Sequence, residues 1–180
     1  MTSVETHTRH AESIRSVVQS LDDLALLSHH ELRDLFEGAA LPDSLAALDG
    51  DLEGRMLAVR RVGPGRLFRA LAAVARSPLF PWVGKTFESE GADRGRGRNR
   101  VRVLGATRDA VPFTTRIGPS TLDGAPCVVL DYGVATPIHD ELREVAPHLF
   151  LGPACLRRRF GKPVVLVWFA VAKRPLSTPK

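Results

Sequence analysis

From Trp82 onward, β-branched and aromatic residues alternate with polar ones in short runs, each closed by glycine, proline or aspartate. That period of two predicts strands near 82–89, 99–105, 111–118, 126–132, 139–146, 149–156 and 163–173. The breaks fall at 91–97, 105–110, 119–124, 133–137, 147 and 161. "LEGRMLAVR" supplies a further strand near 52–61, making eight. Eight short strands with tight links predict an antiparallel up-and-down barrel, because closure removes the unpaired edges of a flat sheet. A barrel of that size holds either one small ligand or a plug of side chains.

Ahead of the strands the period changes to that of a helix. "AESIRSVVQS" puts Ile14, Val17 and Val18 at helical spacing. In "SHHELRDLFEG", Ser28 and Glu31 form a capping box, Leu32, Leu35 and Phe36 an apolar stripe, and Gly38 a stop. Between the first two strands, "RLFRALAAVARS" aligns Leu67, Leu71 and Val74 and predicts a helix over 66–76, ended by Pro78. The last strand, "KPVVLVWFAVAK", is apolar on both faces, so its outer face needs a cover such as that helix. The expectation is a mainly β, single-domain chain over 1–180, with an acidic helical appendage at 1–50 before a barrel at 51–174.

Composition refines this picture. With 44% apolar and 25% charged residues in 180, the chain suits a globular protein with a sizeable core. No window reaches the roughly 18 apolar residues of a membrane span. The first thirty residues carry His7, Arg9, His10, Glu12 and Arg15 instead of an apolar signal core, so a cytoplasmic protein without stable membrane insertion is expected. Charge is unevenly spread: residues 1–54 hold 3 arginines and 11 acids, and residues 55–180 hold 22 basic residues and 9 acids, within a net +5. An acidic front of this kind can neutralise the basic body by docking on it.

One stretch, "PLFPWVGKTFESEG", offers two readings. Gly84-Lys85-Thr86 looks like the end of a phosphate loop, but that motif needs a glycine five residues before Gly84, where this chain has Leu79. Phe80, Pro81 and Trp82 follow, and no helix comes after. The strand reading remains. Trp82-x-Gly84-Lys85-x-Phe87, with a helical lead-in and antiparallel strands behind it, resembles the lipocalin-like or calycin group. The likeness is strongest to the bacterial domains with a Gly-x-Trp-x-Gly signature and spans about residues 20–173, with Phe80 where the signature has its first glycine. The resemblance implies a lumen that binds one small hydrophobic molecule, such as a fatty acid, a retinoid or haem. Some similar small barrels in natural-product pathways act as cyclases.

Candidate site residues follow from the strand pattern, though which parity faces inward is not set by sequence. Arg100 and Arg102 oppose Val101 and Val103, Arg116 opposes Phe113 and Ile117, and Tyr132 lies with Val128 and Leu130. Glu141 and Arg143 oppose Leu142 and Glu144. A lumen holding Tyr132, Arg116, Glu141 and Trp168 would bind a ligand's apolar body on Trp168 and its polar head on Arg116. Trp82, Lys85 and Arg100 are further ligand-binding candidates. If the protein is an isomerase or cyclase needing no cofactor, Tyr132 and Glu141 are the acid–base pair. The plainer reading pairs Arg116 with Glu141 across neighbouring strands on the wet face.

Other chemistries find less support. The six histidines show no His-x-His or His-x-x-x-His spacing, and Cys127 and Cys155 sit in apolar runs, so neither a metal nor a disulfide is expected. Arginines at 94, 96, 98, 100 and 102 line one side of an extended ribbon, and "LRRRFGK" adds Arg157, Arg158, Arg159 and Lys162. With strands alternating in direction, these two runs are expected at opposite barrel ends. The 6% aromatic content gives no stacking platform, so no nucleic-acid partner is expected. The expected partner is a small hydrophobic ligand, and the sequence leaves a homodimer open.

Overall fold

A computed structural model describes residue 14 and residues 16–59, 81–134, 136–157 and 164–173. Among the described residues Ile14, Ser16 and Val17 are helical, and two further short helices, α1 (Leu21–Ala25) and α2 (His29–Glu37), and a 3-10 turn at Leu45–Leu48 precede the strands. These are β1 (Gly50–Val59), β2 (Trp82–Ser89), β3 (Arg94–Val103), β4 (Ala106–Pro119), β5 (Pro126–Asp131), β6 (Ile138–Ala146), β7 (Leu149–Leu156) and β8 (Val164–Lys173). Each strand pairs antiparallel with the next, and β8 returns to β1 from Leu52↔Lys173 to Val59↔Val167. The sheet is therefore the closed up-and-down barrel that the alternation predicts.

Two predicted boundaries move. β3 begins at Arg94, where the arginine–glycine repeat reads as a turn in sequence. Gly95 and Gly97 are buried, and a side chain at Gly97 would meet the Phe113 ring at 2.5 Å. Here glycine makes room for an aromatic ring on the neighbouring strand instead of bending the chain. β4 begins at Ala106, since Leu104 (φ 49°) and Gly105 (φ 83°) form a two-residue hairpin link with both φ values positive. The predicted helix over 66–76 lies outside the described residues, as do Arg158, Arg159 and Lys162.

The strands carry two cores. Inside the barrel, Leu52, Phe87, Phe113, Val128, Leu142, Phe150 and Phe169, from seven different strands, pack together with Leu45 and Leu48 of the 3-10 turn. Outside it, Cys127, Val129, Leu151, Cys155, Trp168 and Ala170 pack under Leu24, Leu32, Leu35 and Phe36 of the helices. α2 is held in register by its capping box, with Ser28 and Glu31 exchanging side-chain and backbone bonds. Trp168 lies edge-on to Phe36 at 5.7 Å and donates to His29 Nδ1 at 3.3 Å. The cover seen over the last strand is thus helical, with α2 over Trp168 and α1 beside it, which answers the demand made by its doubly apolar sequence.

The acidic front meets the barrel at discrete points. Asp22 pairs with Arg55, Asp51 lies 3.0 Å from Arg100, and Asp49 accepts from both the amide and the hydroxyl of Ser89. Arg143 of β6, 1% exposed, reaches across to the carbonyl of Phe36, pairs with both oxygens of Asp123, and stacks over the Phe36 ring at 4.5 Å. No described helix is long and apolar enough to cross a membrane.

Candidate functional site

Alternation along β2 and β6, and the residue that follows β5, bring three side chains to a shared point inside the barrel. Lys85, Tyr132 and Asp140 meet there with Asn99 of β3. The Lys85 ammonium, 2% exposed, donates to Asn99 Oδ1 at 2.8 Å, to the Tyr132 hydroxyl at 2.7 Å and to Asp140 Oδ2 at 2.9 Å. Tyr132 in turn donates to the same carboxylate oxygen at 2.5 Å, and Trp82 Nε1 donates to Asn99 at 3.0 Å. Four rings surround the ammonium: Phe113 at 5.0 Å, Phe169 at 5.1 Å, Tyr132 at 5.4 Å and Trp82 at 5.7 Å. A buried cation is tolerated here because its three donors are used and ring faces add electrostatic attraction.

The ionisation of this cluster is perturbed in opposite directions. Burial pushes the Lys85 ammonium below its ordinary value, while the charge and hydrogen bond of Asp140 pull it back. Burial, then the negative charge of Asp140, pushes the Tyr132 hydroxyl well above its own. An amine, a phenol and a carboxylate linked by short hydrogen bonds can hold a proton at any of three atoms, which is the arrangement acid–base chemistry uses.

A surface cavity shares Tyr132 and Phe113 with the surroundings of this cluster. β4 pairs with β5 only from Thr114↔Asp131 to Pro119↔Pro126, leaving its first half, Ala106 to Phe113, hydrogen-bonded to β3 alone among the described strands. An extra residue, Val111, interrupts the β3–β4 register with a φ of 32°, a strained value for a β-branched side chain. Asn99 Nδ2 donates to its carbonyl at 3.3 Å. Beside the splayed strand lies a cavity of about 550 Å³, open to solvent. Its floor includes Phe87, Gly97, Phe113 and Tyr132, and its rim carries Glu88, Arg96, Arg98, Asp131 and Arg157.

A second cluster sits on the outer face. Glu141, fully buried, accepts from Ser120 Oγ at 2.6 Å, from the Thr121 amide at 2.8 Å and hydroxyl at 2.6 Å, and lies 3.1 Å from His139 Nε2. Burial pushes its carboxyl up, and the bonds from His139, Ser120 and Thr121 outweigh that and hold it below the ordinary range. Neither hydroxyl contacts the imidazole; all point at the carboxylate, so this is no nucleophilic triad. Burial pushes the thiols of Cys127 and Cys155 up to about 12, so with no cation beside them both are held as neutral thiols.

The four residues grouped in a lumen by sequence are separated. Tyr132 faces in. Arg116 and Glu141 are on the outer face, lining a smaller cavity of about 340 Å³ with His139, Thr121 and Arg157. Trp168 is outside too, in the core under α2. Trp82 and Lys85 join Tyr132 inside, whereas Arg100 faces Asp51 near the surface. Asn99, Phe113 and Asp140 were not singled out by sequence. Asp140 shares a face with Leu142, an apolar-side signal that marks it as inward once Tyr132 is seen to lie with Val128 and Leu130. The arginine stripe runs along β3 and is laced with acids: Arg96 with Glu88 and Glu90, Arg98 with Asp109, Arg100 with Asp51. Arg157, the described member of the second basic run, pairs with Asp131 and shares the larger cavity with Arg96 and Arg98 of the first, so it does not lie at the opposite end from them.

No protein-family model matches the chain. No curated protein matches it in sequence. A crystal structure of a protein from Thermomonospora curvata is similar in fold, with a TM-score of 0.56 and 14% identity over 93% of this chain and 99% of that one. At that identity the likeness is one of fold alone.

Proposed function

We propose that the protein binds one small, largely hydrophobic molecule in the barrel, entering beside β4. The observation that carries this reading is the 550 Å³ cavity, lined by Phe87, Phe113 and Tyr132, the last two of which also face the Lys85 ammonium. A volume of that order suits a single small ligand, and a few convergent polar groups at the end of an apolar surface fix orientation. The resemblance to lipocalin-like barrels points to the same class of ligand. Thr114 is exposed on the cavity wall, so Thr114→Trp fills the entrance without disturbing the interior. Native mass spectrometry of protein purified from its own host is expected to find an adduct that denaturation releases. The adduct should be absent from Thr114→Trp at unchanged melting temperature. An adduct retained by the blocked variant would place the ligand elsewhere.

A second reading keeps the cavity and adds turnover: an isomerase or cyclase without cofactor, favoured by the Tyr132–Asp140–Lys85 hydrogen bonds. In that case Tyr132 and Asp140, not Glu141, are the proton-handling pair. Tyr132→Phe would then retain the adduct while the converted product disappears from the host extract. For a carrier, the bound compound is recovered unchanged from both proteins.

A further inference from the structure

We propose that His139, Glu141 and Cys155 form a site for a divalent transition-metal ion of the zinc class on the outer face of the barrel, independent of the lumen. His139 and Glu141 stand two apart on β6 and so share a face, and Cys155 of β7 is directly opposite His139 in the register. One donor atom from each residue lies within 4.8 Å of the other two, and all three residues are buried.

Three features of the cluster call for a cation. Glu141 is completely buried, yet among the described residues its ion-pair partner is His139 alone, because the neighbouring Arg143 is committed to Asp123. His139 Nδ1 is buried and has no hydrogen-bond partner among the described residues, so no acceptor or donor fixes the ring's tautomer; with the proton on Nδ1, the Nε2 lone pair faces the Glu141 carboxylate, two acceptors that an ion between them would satisfy. The His139 Nε2 to Glu141 distance of 3.1 Å is close to the ~3.3 Å edge of a tetrahedron built from ligands at ~2 Å, so these two groups are nearly spaced for one ion. With all three donors within 4.8 Å of one another, the thiol needs to close by at most about 1.2 Å to reach the ~3.6 Å edge of a sulfur ligand.

Donor chemistry narrows the metal. Imidazole, thiolate and carboxylate favour zinc or cobalt over calcium or magnesium, which take oxygen ligands. A carboxylate and a thiolate together balance a divalent ion, so the loaded site is neutral and its burial costs little. Three protein ligands leave a fourth position, and the 340 Å³ cavity beside His139 and Glu141 opens it to solvent. Arg116 and Arg157 line that cavity, which would favour an anionic exogenous ligand there.

The test uses untagged full-length protein stripped with EDTA and reloaded with Zn²⁺ or Co²⁺. One ion per chain is expected by plasma mass spectrometry after gel filtration, and the cobalt form should show a thiolate-to-metal charge-transfer band. Cys155→Ser should abolish the band, and His139→Gln should weaken binding about 10-fold or more. Cys127→Ser, altering a cysteine outside the cluster, should keep the band. The proposal is overturned if wild type binds no more ion than Cys155→Ser, or if the band survives in Cys155→Ser and is lost in Cys127→Ser. Circular dichroism of each apo variant separates loss of the site from loss of the fold.

Discussion

Asp140 and Glu141 are adjacent carboxylates on one strand, and the alternation of β6 sends the first into the barrel and the second outward beneath Ser120 and Thr121. Inside, the charge is answered by another full charge, Lys85, and every donor of that ammonium is used. Outside, it is answered by two hydroxyls, an amide and an imidazole, with one imidazole nitrogen left over. Two buried anions of the same strand thus teach that neutralisation and solvation are separate solutions. The first gives a closed network that a ligand can touch only at its edge; the second leaves room for a cation.

That comparison can be broken experimentally. The largest effect is expected from Lys85→Met, which leaves Asp140 buried without its counter-charge at a cost of about 3–5 kcal/mol in urea denaturation. Lys85→Met combined with Asp140→Leu should recover most of it, since an apolar pair replaces a charge pair. A single-variant cost under about 1 kcal/mol would mean that water reaches the cluster. Ser120→Ala should cost less, roughly 1.5–3 kcal/mol for a hydrogen bond to a charged group, because Thr121 and His139 remain on Glu141. If it cost as much as Lys85→Met, the distinction between the two carboxylates would fail.

The smallest effect sharpens the inner half of the comparison. Tyr132 is the single tyrosine of the chain, so tyrosinate absorbance reports on it alone. With its native ionisation pushed up by burial and Asp140, the native protein should show no tyrosinate signal through the usual range near 10, while the guanidinium-unfolded chain titrates there. The sign follows by linkage: the stability contributed by the protonated phenol is complete below the unfolded value and is lost as pH rises through the folded one. Asp140→Asn should bring the native titration down. A native curve that coincides with the unfolded one would show Tyr132 to be hydrated.

Much of this architecture was legible because its signals are local. Eight alternating runs, the Ser28–Glu31 box and the doubly apolar β8 each state their own conformation and burial. What was not legible depends on register. Gly95 and Gly97 look like a turn until Phe113 is known to lie across from Gly97. Asp140 has only Leu142 on its face to set it apart from Glu141 in sequence, and the pairing of Leu130 with Asp140 is what places it on Tyr132's side of the sheet. His139 and Cys155 are separated by a hairpin, so a search for histidine spacing along the chain passes over them.

Closure of the barrel has a temporal consequence. The seam joins Leu52 to Lys173, and α2 docks on Trp168 through His29. The helices are therefore made on the ribosome well before the strands they cover, and the apolar stripe of α2 is fully covered only once β8 has joined β6 and β7. Contacts of such long sequence separation slow folding. For this chain, the interval between synthesis of α2 and arrival of β8 is the period in which its apolar stripe is open to chaperones or to another copy of itself.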